Sequence, residues 1–286
     1  MSDEAARLRE ERRRAAREQR ARRRRLVGAV LAVLALLGAA ATVGVYAFSR
    51  GEDPPPPEPP PTITLTIPEG YSRAQTAEPV REAGLRGDYP RASKGHEGYL
   101  FPDTYELERG APVTDLVELQ LATFERRFGG VGMRYARSKN LTRHDVVTIA
   151  SMVEEEAQIE RERKLIAAVI YNRLREGIPL GIDATVRFAT GNYTEPLTES
   201  ELANDSPYNT RLNAGLPPGP ISSPGLASLE AAARPAEVDY LYYVVEPGTC
   251  GEHAFSSTDA EFQRDVARYN EAREAAGGQS PDSCEE

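Results

Sequence analysis

Apolar and polar positions along this chain repeat mostly at helical spacing, with a few short alternating runs between the helical stretches. Val113 to Phe128 sets Leu116, Leu119, Leu121 and Phe124 in helical register, and Gly129-Gly130 stops it. Thr142, with Asp145 three residues on, resembles a capping box and opens a helix whose apolar stripe is Val146, Ile149, Ala150, Val153 and Ala157. A second helix is predicted from Arg161 to Arg175, with Gly177 placed to end it. Shorter helices are predicted at Ser72 to Ala83 and Leu226 to Ala233, and a last one at Asp259 to Ala275. Alternation at Thr62 to Ile67 and the β-prone run Tyr240 to Val245 read as strands, as does Gly251 to Ser256 after a turn. Ile178 to Ala189 reads as short and extended, with Asp183 and Thr185 on one side of a strand. The sum is an α+β fold.

Two stretches resist either period. His96 to Leu107 packs three aromatics around glycine and proline breaks, which suits an ordered loop running into a strand. Asn204 to Gly225 is long and rich in proline and glycine. Tyr208, Leu212, Leu216 and Ile221 give it apolar anchors, so it is expected to be ordered and to form part of a site.

Charge changes the picture at the N-terminus. The 286-residue chain has a net charge of −9, yet residues 1–25 hold eleven arginines against five acids, a balance of +6 that leaves −15 for the rest. Next comes Leu26 to Phe48, 23 residues without a charge, long enough to cross a bilayer. A cleaved signal peptide has a shorter apolar core, so an uncleaved anchor is expected. The arginines would then stay in the cytoplasm and everything after Phe48 would be extracytoplasmic, at the cell membrane. An acidic exported domain argues against nucleic acid as a partner. Arg50 to Pro61 carries seven prolines and reads as a stiff spacer. The expected organisation is a cytoplasmic segment 1–25, a transmembrane helix 26–48, a linker 49–62, a short α/β stub 63–93, a catalytic domain 94–275 and a disordered tail 276–286.

Candidate chemistry is sparse. Cys250 and Cys284 would both lie in an oxidising compartment, where a bridge between them is permitted. Three histidines, His96, His144 and His253, offer no zinc-like spacing. What remains is Glu154-Glu155-Glu156 on the central helix. At 100° per residue, Glu155 points into solvent while Glu154 and Glu156 flank the apolar stripe. A half-desolvated carboxyl there would have a raised pKa and could donate a proton near neutrality. The same three acids could equally form a solvated helix face, and periodicity does not choose between Glu154 and Glu156.

Five motifs in one order resemble the YceG-like family, the endolytic murein transglycosylases called MltG. They are EGYLFPDTYEL at 97–107, ASMVEEEA at 150–157, YNRLREGIPLGIDATV at 171–186, SPYNT with GLPPGPISSPGLASLEAA within 206–232, and YLYYVV with GEHAFS within 240–256. The resemblance implies a single YceG-like catalytic domain and places the catalytic acid on Glu156. It also implies cleavage of the β-1,4 bond between N-acetylmuramic acid and N-acetylglucosamine in peptidoglycan, leaving a 1,6-anhydro end. Asp183, Thr185, Tyr208, Asn209 and His253 match family positions suited to binding sugar hydroxyls and acetamides. The alternative for Asn209 is bracing the loop; His253 is either a core histidine or one that orients a carboxylate. The resemblance implies no metal or organic cofactor, and it implies work beside peptidoglycan synthases.

Two departures from the family pattern stand out. Ala184 replaces the proline of a D-P-T motif, and the LysM-like module between anchor and catalytic domain is reduced or absent. Two rival functions remain. A hydrolytic glycosidase would need a second carboxylate, Asp183 or Asp103. A wall-binding protein would keep the fold without cutting glycan.

Overall fold

The computed structural model describes residues 2–49 and 60–281, with side chains placed for 12–46 and 60–281. The chain divides into two compact units, Met1–Pro59 and Pro60–Glu286. The first is a single helix, α1 (Ser2–Ser49), continuous through both the arginine-rich and the apolar stretches. Its candidate membrane span, Arg12–Tyr46, has a mean hydropathy of 2.5 over its most apolar window and no part of that window is buried. Apolar side chains exposed around a helix are what a bilayer, rather than a protein core, would cover. The proline spacer falls largely on residues 50–59, outside the described residues.

The second unit has two hydrophobic cores. The smaller is built on β1 (Thr62–Thr66), α2 (Arg73–Glu82), α3 (Tyr89–Ala92), β2 (Thr104–Glu108) and α4 (Val113–Phe128). Strands β1 and β2 pair antiparallel with Ile63 opposite Leu107 and Leu65 opposite Tyr105, so Leu65, Tyr105 and Leu107 face inward onto Val80, Tyr89, Leu100 and Leu116. Ser72 caps α2 in a full capping box with Gln75. The aromatic stretch 96–107 thus supplies the partner strand of β1. This smaller core runs from Leu65 to Val117, across the expected boundary at residue 93.

The larger core surrounds α6 (Arg143–Glu156), which follows the short α5 (Arg134–Ser138). Thr142 caps α6, accepting from the Asp145 N–H at 3.2 Å while Asp145 accepts from the Thr142 N–H at 2.7 Å. Eight consecutive residues, Val146 to Val153, are buried. The expected apolar stripe is therefore too narrow: α10 (Leu226–Ala233), α7 (Arg163–Glu176) and α8 (Asp183–Thr190) all pack on α6 and enclose it. Thr148 and Ser151 are consequently buried too, and Ser151 Oγ donates to Thr148 O at 2.8 Å while accepting from Ile221 N–H at 3.0 Å.

Helix α7 ends on Gly177 in the left-handed conformation (φ 67°), as its position predicts. The segment read as extended is instead α8, an eight-residue helix with Asp183 in its first turn. An acid there complements the helix dipole. Ala184 lies in the same turn, where proline and alanine are both tolerated, so the departure from D-P-T costs the backbone little.

Residues 204–225 contain no helix or strand, but after the short α9 (Glu199–Leu202) they are well anchored. Asn209, Thr210 and Ile221 are buried; Leu212, expected as an anchor, is 58 % exposed. A hairpin of β3 (Tyr242–Val245) and β4 (His253–Ser256), then α11 (Asp259–Ala275), complete the unit. Pro281 O accepts from Gly248 N–H at 3.2 Å, and residues 282–286 of the expected tail lie outside the described residues. A Cys250–Cys284 bridge is a question that falls on Cys284, outside the described residues.

Candidate active site

The three acids of α6 have three different fates. Glu154 is 6 % exposed and held on two sides, by Arg163 Nη1 at 2.9 Å and by the Gly225 N–H at 2.9 Å. Arg163 Nη1 also donates to Ser228 Oγ at 2.8 Å. Glu154 therefore joins α6 to α7 and to the start of α10. Both of its carboxylate oxygens are thus engaged inside the fold, one by a guanidinium and one by a backbone amide.

Glu155 does emerge from the core, as the helical count predicts, but its carboxyl is not bathed in bulk water. It hydrogen-bonds the Ser222 side chain, and Oε1 lies 3.1 Å from where a Cβ on Gly70 would be. Desolvation first, then repulsion from Glu154 and Glu156, pushes it up to about 7.

Glu156 ends α6, and its carboxyl is the most deeply desolvated of the three. Burial raises its pKa above the ordinary carboxylate value; the Tyr243 hydrogen bond and the nearby His253 and Arg173 oppose the rise, and Asp183 adds to it. Tyr243 Oη donates to Glu156 Oε2 at 2.9 Å. Burial also drives the Tyr243 phenol well above its usual pKa, so Tyr243 remains a donor at any physiological pH. Arg173 enters from α7, anchored by Nε to Leu241 O at 2.6 Å and stacked over the Tyr242 ring at 5.3 Å. Glu156 is thus a carboxyl whose protonated form is favoured by burial, gripped at one oxygen, with Arg173 and His253 nearby to favour its ionised form. That is the description of a general acid that can afterwards act as a base.

The other expected site residues divide sharply. Asp183, at the start of α8, is an electrostatic neighbour of both Glu156 and Tyr243 and pairs with Arg211 Nη1 at 2.5 Å. It remains 53 % exposed and accessible. His253 also reaches this corner: its ring stands edge-on to Tyr243, 5.1 Å between centroids.

Thr185 and Asn209 do not reach it as ligands. Both are 0 % exposed. Thr185 Oγ1 donates to Ile182 O at 2.6 Å and meets Thr210 Oγ1 at 2.9 Å. Asn209 Nδ2 donates to Leu202 O and Asn204 O, at 3.0 and 2.8 Å, and its Oδ1 accepts from Arg211 N–H at 3.0 Å. Their polar atoms are engaged inside the fold, so they shape the loop rather than touch a sugar. Through Arg211, Asn209 nevertheless helps set the partner of Asp183.

Tyr208 sits apart from this corner. Its ring packs on Phe188 at 4.9 Å, and its charge neighbour is Glu97, not Glu156. Glu97, in the aromatic motif, accepts from Arg73 N–H at 3.0 Å, and burial pushes it up to about 7. Tyr193, whose hydroxyl accepts from Ser72 Oγ at 3.1 Å, senses both Glu97 and Glu155. The aromatic motif is held against the proline-rich loop by Gly98: at φ 78°, its Cβ would fall 2.3 Å from Pro220 Cβ. Asp103 instead pairs with Arg127 at 3.4 Å and has no part in the Glu156 corner.

The family sequence model of YceG-like proteins matches residues 45–268. The chain belongs to the YceG-like family. It is 31 % identical over 250 residues to a protein of Streptococcus pneumoniae named endolytic murein transglycosylase, covering 72 % of this chain and 44 % of that one. A Bacillus subtilis protein of the same name is 38 % identical over 175 residues, 60 % of this chain and 48 % of its own. This YceG-like chain therefore spans less than half the length of these relatives. The 2.6 Å crystal structure of a yceG-like protein from Listeria monocytogenes superposes with a TM-score of 0.63 at 29 % identity, covering 72 % of this chain and 76 % of the other.

Tyr243, Arg173 and Arg211 are residues of this YceG-like site that sequence reasoning did not single out. Tyr243 and Arg173 lie inside quoted motifs, but a tyrosine among three and an arginine at a helix end carry no periodic signal of their role.

Proposed function

We propose that this chain is a membrane-anchored endolytic lytic transglycosylase of peptidoglycan, with Glu156 as its catalytic acid and base. The observation that carries the reading is the Glu156 carboxyl: half-buried, raised in pKa by desolvation, and held at Oε2 by Tyr243. The relatives' shared name supports the substrate class.

Protonated Glu156 gives its proton to the glycosidic oxygen between N-acetylmuramic acid and N-acetylglucosamine, and the C1–O bond breaks with the electron pair leaving on that oxygen. The C6 hydroxyl of the same muramic acid residue attacks C1. Glu156, now a carboxylate, takes the hydroxyl's proton, which restores the acid and closes the 1,6-anhydro ring. No water is consumed, so one carboxyl serves where hydrolases use two. Asp183 and Arg211 at the mouth of the corner offer an acceptor and a donor to sugar hydroxyls and acetamide. The side chains need no metal or organic cofactor for any of these steps.

Helix α1 is read as a single-pass anchor, with the arginine-rich end cytoplasmic and the catalytic unit outside. Support comes from the uncharged stretch Leu26 to Phe48 and the four arginines Arg22 to Arg25 that precede it. The small core around β1 and β2 fills the stretch between spacer and α4, consistent with a reduced LysM-like portion. Placement close to the membrane suits work on strands still being made by peptidoglycan synthases.

Mass spectrometry of glycan fragments tests the reaction. Anhydro ends are lighter than hydrolytic reducing ends by one water. Reducing ends would point instead to a hydrolase using Asp183, an accessible carboxylate whose charge acts on Glu156. Absence of cleavage by the folded protein would leave only wall binding.

A further inference from the structure

Glu162 belongs to none of the sequence motifs and has no part in the mechanism above, yet it is a buried carboxylate beside the acid's own helix. It ends the 3-10 turn Glu160–Glu162 between α6 and α7, six positions after Glu156, and its side chain is 5 % exposed. Oε1 accepts the backbone N–H of His253 at 3.0 Å, and Oε2 lies 2.8 Å from His253 Nδ1. An ionised carboxylate can only accept, so Nδ1 carries the hydrogen and the ring is fixed in orientation.

The next contact is Tyr243. Val245 pairs with His253 across the hairpin, which makes Tyr243 the diagonal neighbour of His253 on the same face. The two rings meet edge to face at 78°, and Tyr243 Oη then donates to Glu156 Oε2 at 2.9 Å. The path Glu162–His253–Tyr243–Glu156 leaves the chain just after α6 and returns to its last residue.

We infer that Glu162 is a positioning residue for Glu156, acting through His253 and Tyr243. The inference rests on the proposed role of Glu156. Facing Glu156 are Tyr243 from β3, His253 from β4, Asp183 from α8, Arg173 from α7 and Glu155 on its own helix. Facing His253 are Glu162 and Tyr243. His253 opposes the upward shift of Glu156, so whatever holds its ring also tunes the acid.

The test uses the full chain with Glu162→Gln. Glutamine keeps an oxygen for the His253 N–H but presents an amide donor to Nδ1, so the ring loses its fixed hydrogen. Titration of the Glu156 carboxyl is followed by the infrared carbonyl band that Glu156→Gln abolishes. The expected result is an upward shift of roughly one pH unit, with kcat reduced about tenfold at low pH, where Glu156 is protonated in either protein and only its positioning differs, and KM little changed. Glu162→Asp should restore part of both.

If Glu162→Gln does not fold, His253→Gln, which retains the backbone contact to Glu162, should give the same upward shift. An unmoved Glu156 titration in a folded variant overturns the inference, even where melting temperature and activity fall together, because it reduces Glu162 to a hairpin staple. A moved titration alongside a Glu156→Gln variant that still cleaves glycan would uphold the positioning role and overturn the catalytic reading instead.

Discussion

Two corners of this unit are built from family motifs, and they use hydrogen bonds in opposite ways. Around Thr185, Asn209 and Thr210, each polar side chain is buried and meets partners within the fold. Around Glu156, one carboxylate oxygen is gripped by Tyr243 while charged groups from three other elements surround the acid without bonding to it. The first corner gains rigidity by satisfaction. The second holds an incomplete constellation in place, which a reacting molecule can complete. A motif match cannot distinguish them, because both kinds of residue are specified equally tightly by the fold.

The sharpest way to break this contrast is Glu156→Gln. It should lower glycan cleavage by about three orders of magnitude while the melting temperature holds or rises, since a carboxyl disfavoured by burial has been removed. Loss of folding with activity would mean that this corner too is structural.

Thr185→Val should do the reverse. Valine preserves shape but strands the Thr210 N–H, while Thr210 Oγ1 keeps the Ile182 N–H, so stability should fall by about 1–3 kcal/mol in a denaturant titration. Turnover per folded molecule should be unchanged. A variant as stable as the parent but slow would place Thr185 against the substrate after all.

Asp183→Asn sharpens the comparison at the boundary. Asp183 raises the Glu156 pKa, so its neutralisation should move the alkaline limb of the kcat profile to lower pH, because the acid must be protonated to act. Cleavage at neutral pH should fall several-fold. A shift to higher pH would contradict the electrostatic arrangement.

The smallest effect concerns Glu97, which is raised from 4.5 to about 7 by burial. Between those values the native state keeps a proton that the unfolded chain has released, so stability declines as pH rises through this window. Glu97→Gln should flatten that decline, by at most about 2–3 kcal/mol between pH 5 and 8 as read from thermal melts. An unchanged slope would show that solvent relieves the burial.

Much of the architecture was legible from local signals. The bounds expected for α4, α10 and α11 match those observed, and the Thr142 box marks the start of α6. α8 was not, because Thr185 and Val186 are β-branched and the segment is short, so periodicity favours a strand. The apolar stripe on α6 understates its burial, since no single-helix pattern reveals that three other helices enclose it. At the site, the count of 100° per residue correctly turned Glu155 outward but could not foresee Gly70 and Ser222 folding over it. Choosing between Glu154 and Glu156 depends on Arg163 and Gly225 arriving from elsewhere to claim Glu154. Such long-range partners leave no trace in local pattern.

The enclosure of α6 has a consequence for how the molecule opens. Amides from Val147 to Val153 sit inside a helix buried on every side and should exchange with deuterium only when the whole domain unfolds. The hairpin is a different case, since every residue of β3 and all but Ser256 of β4 are partly exposed. It is therefore the element that should exchange first around Glu156, lifting Tyr243 away while the acid stays in register. The protein could then lose its proton donor's grip, and regain it, many times within the lifetime of a single folded core.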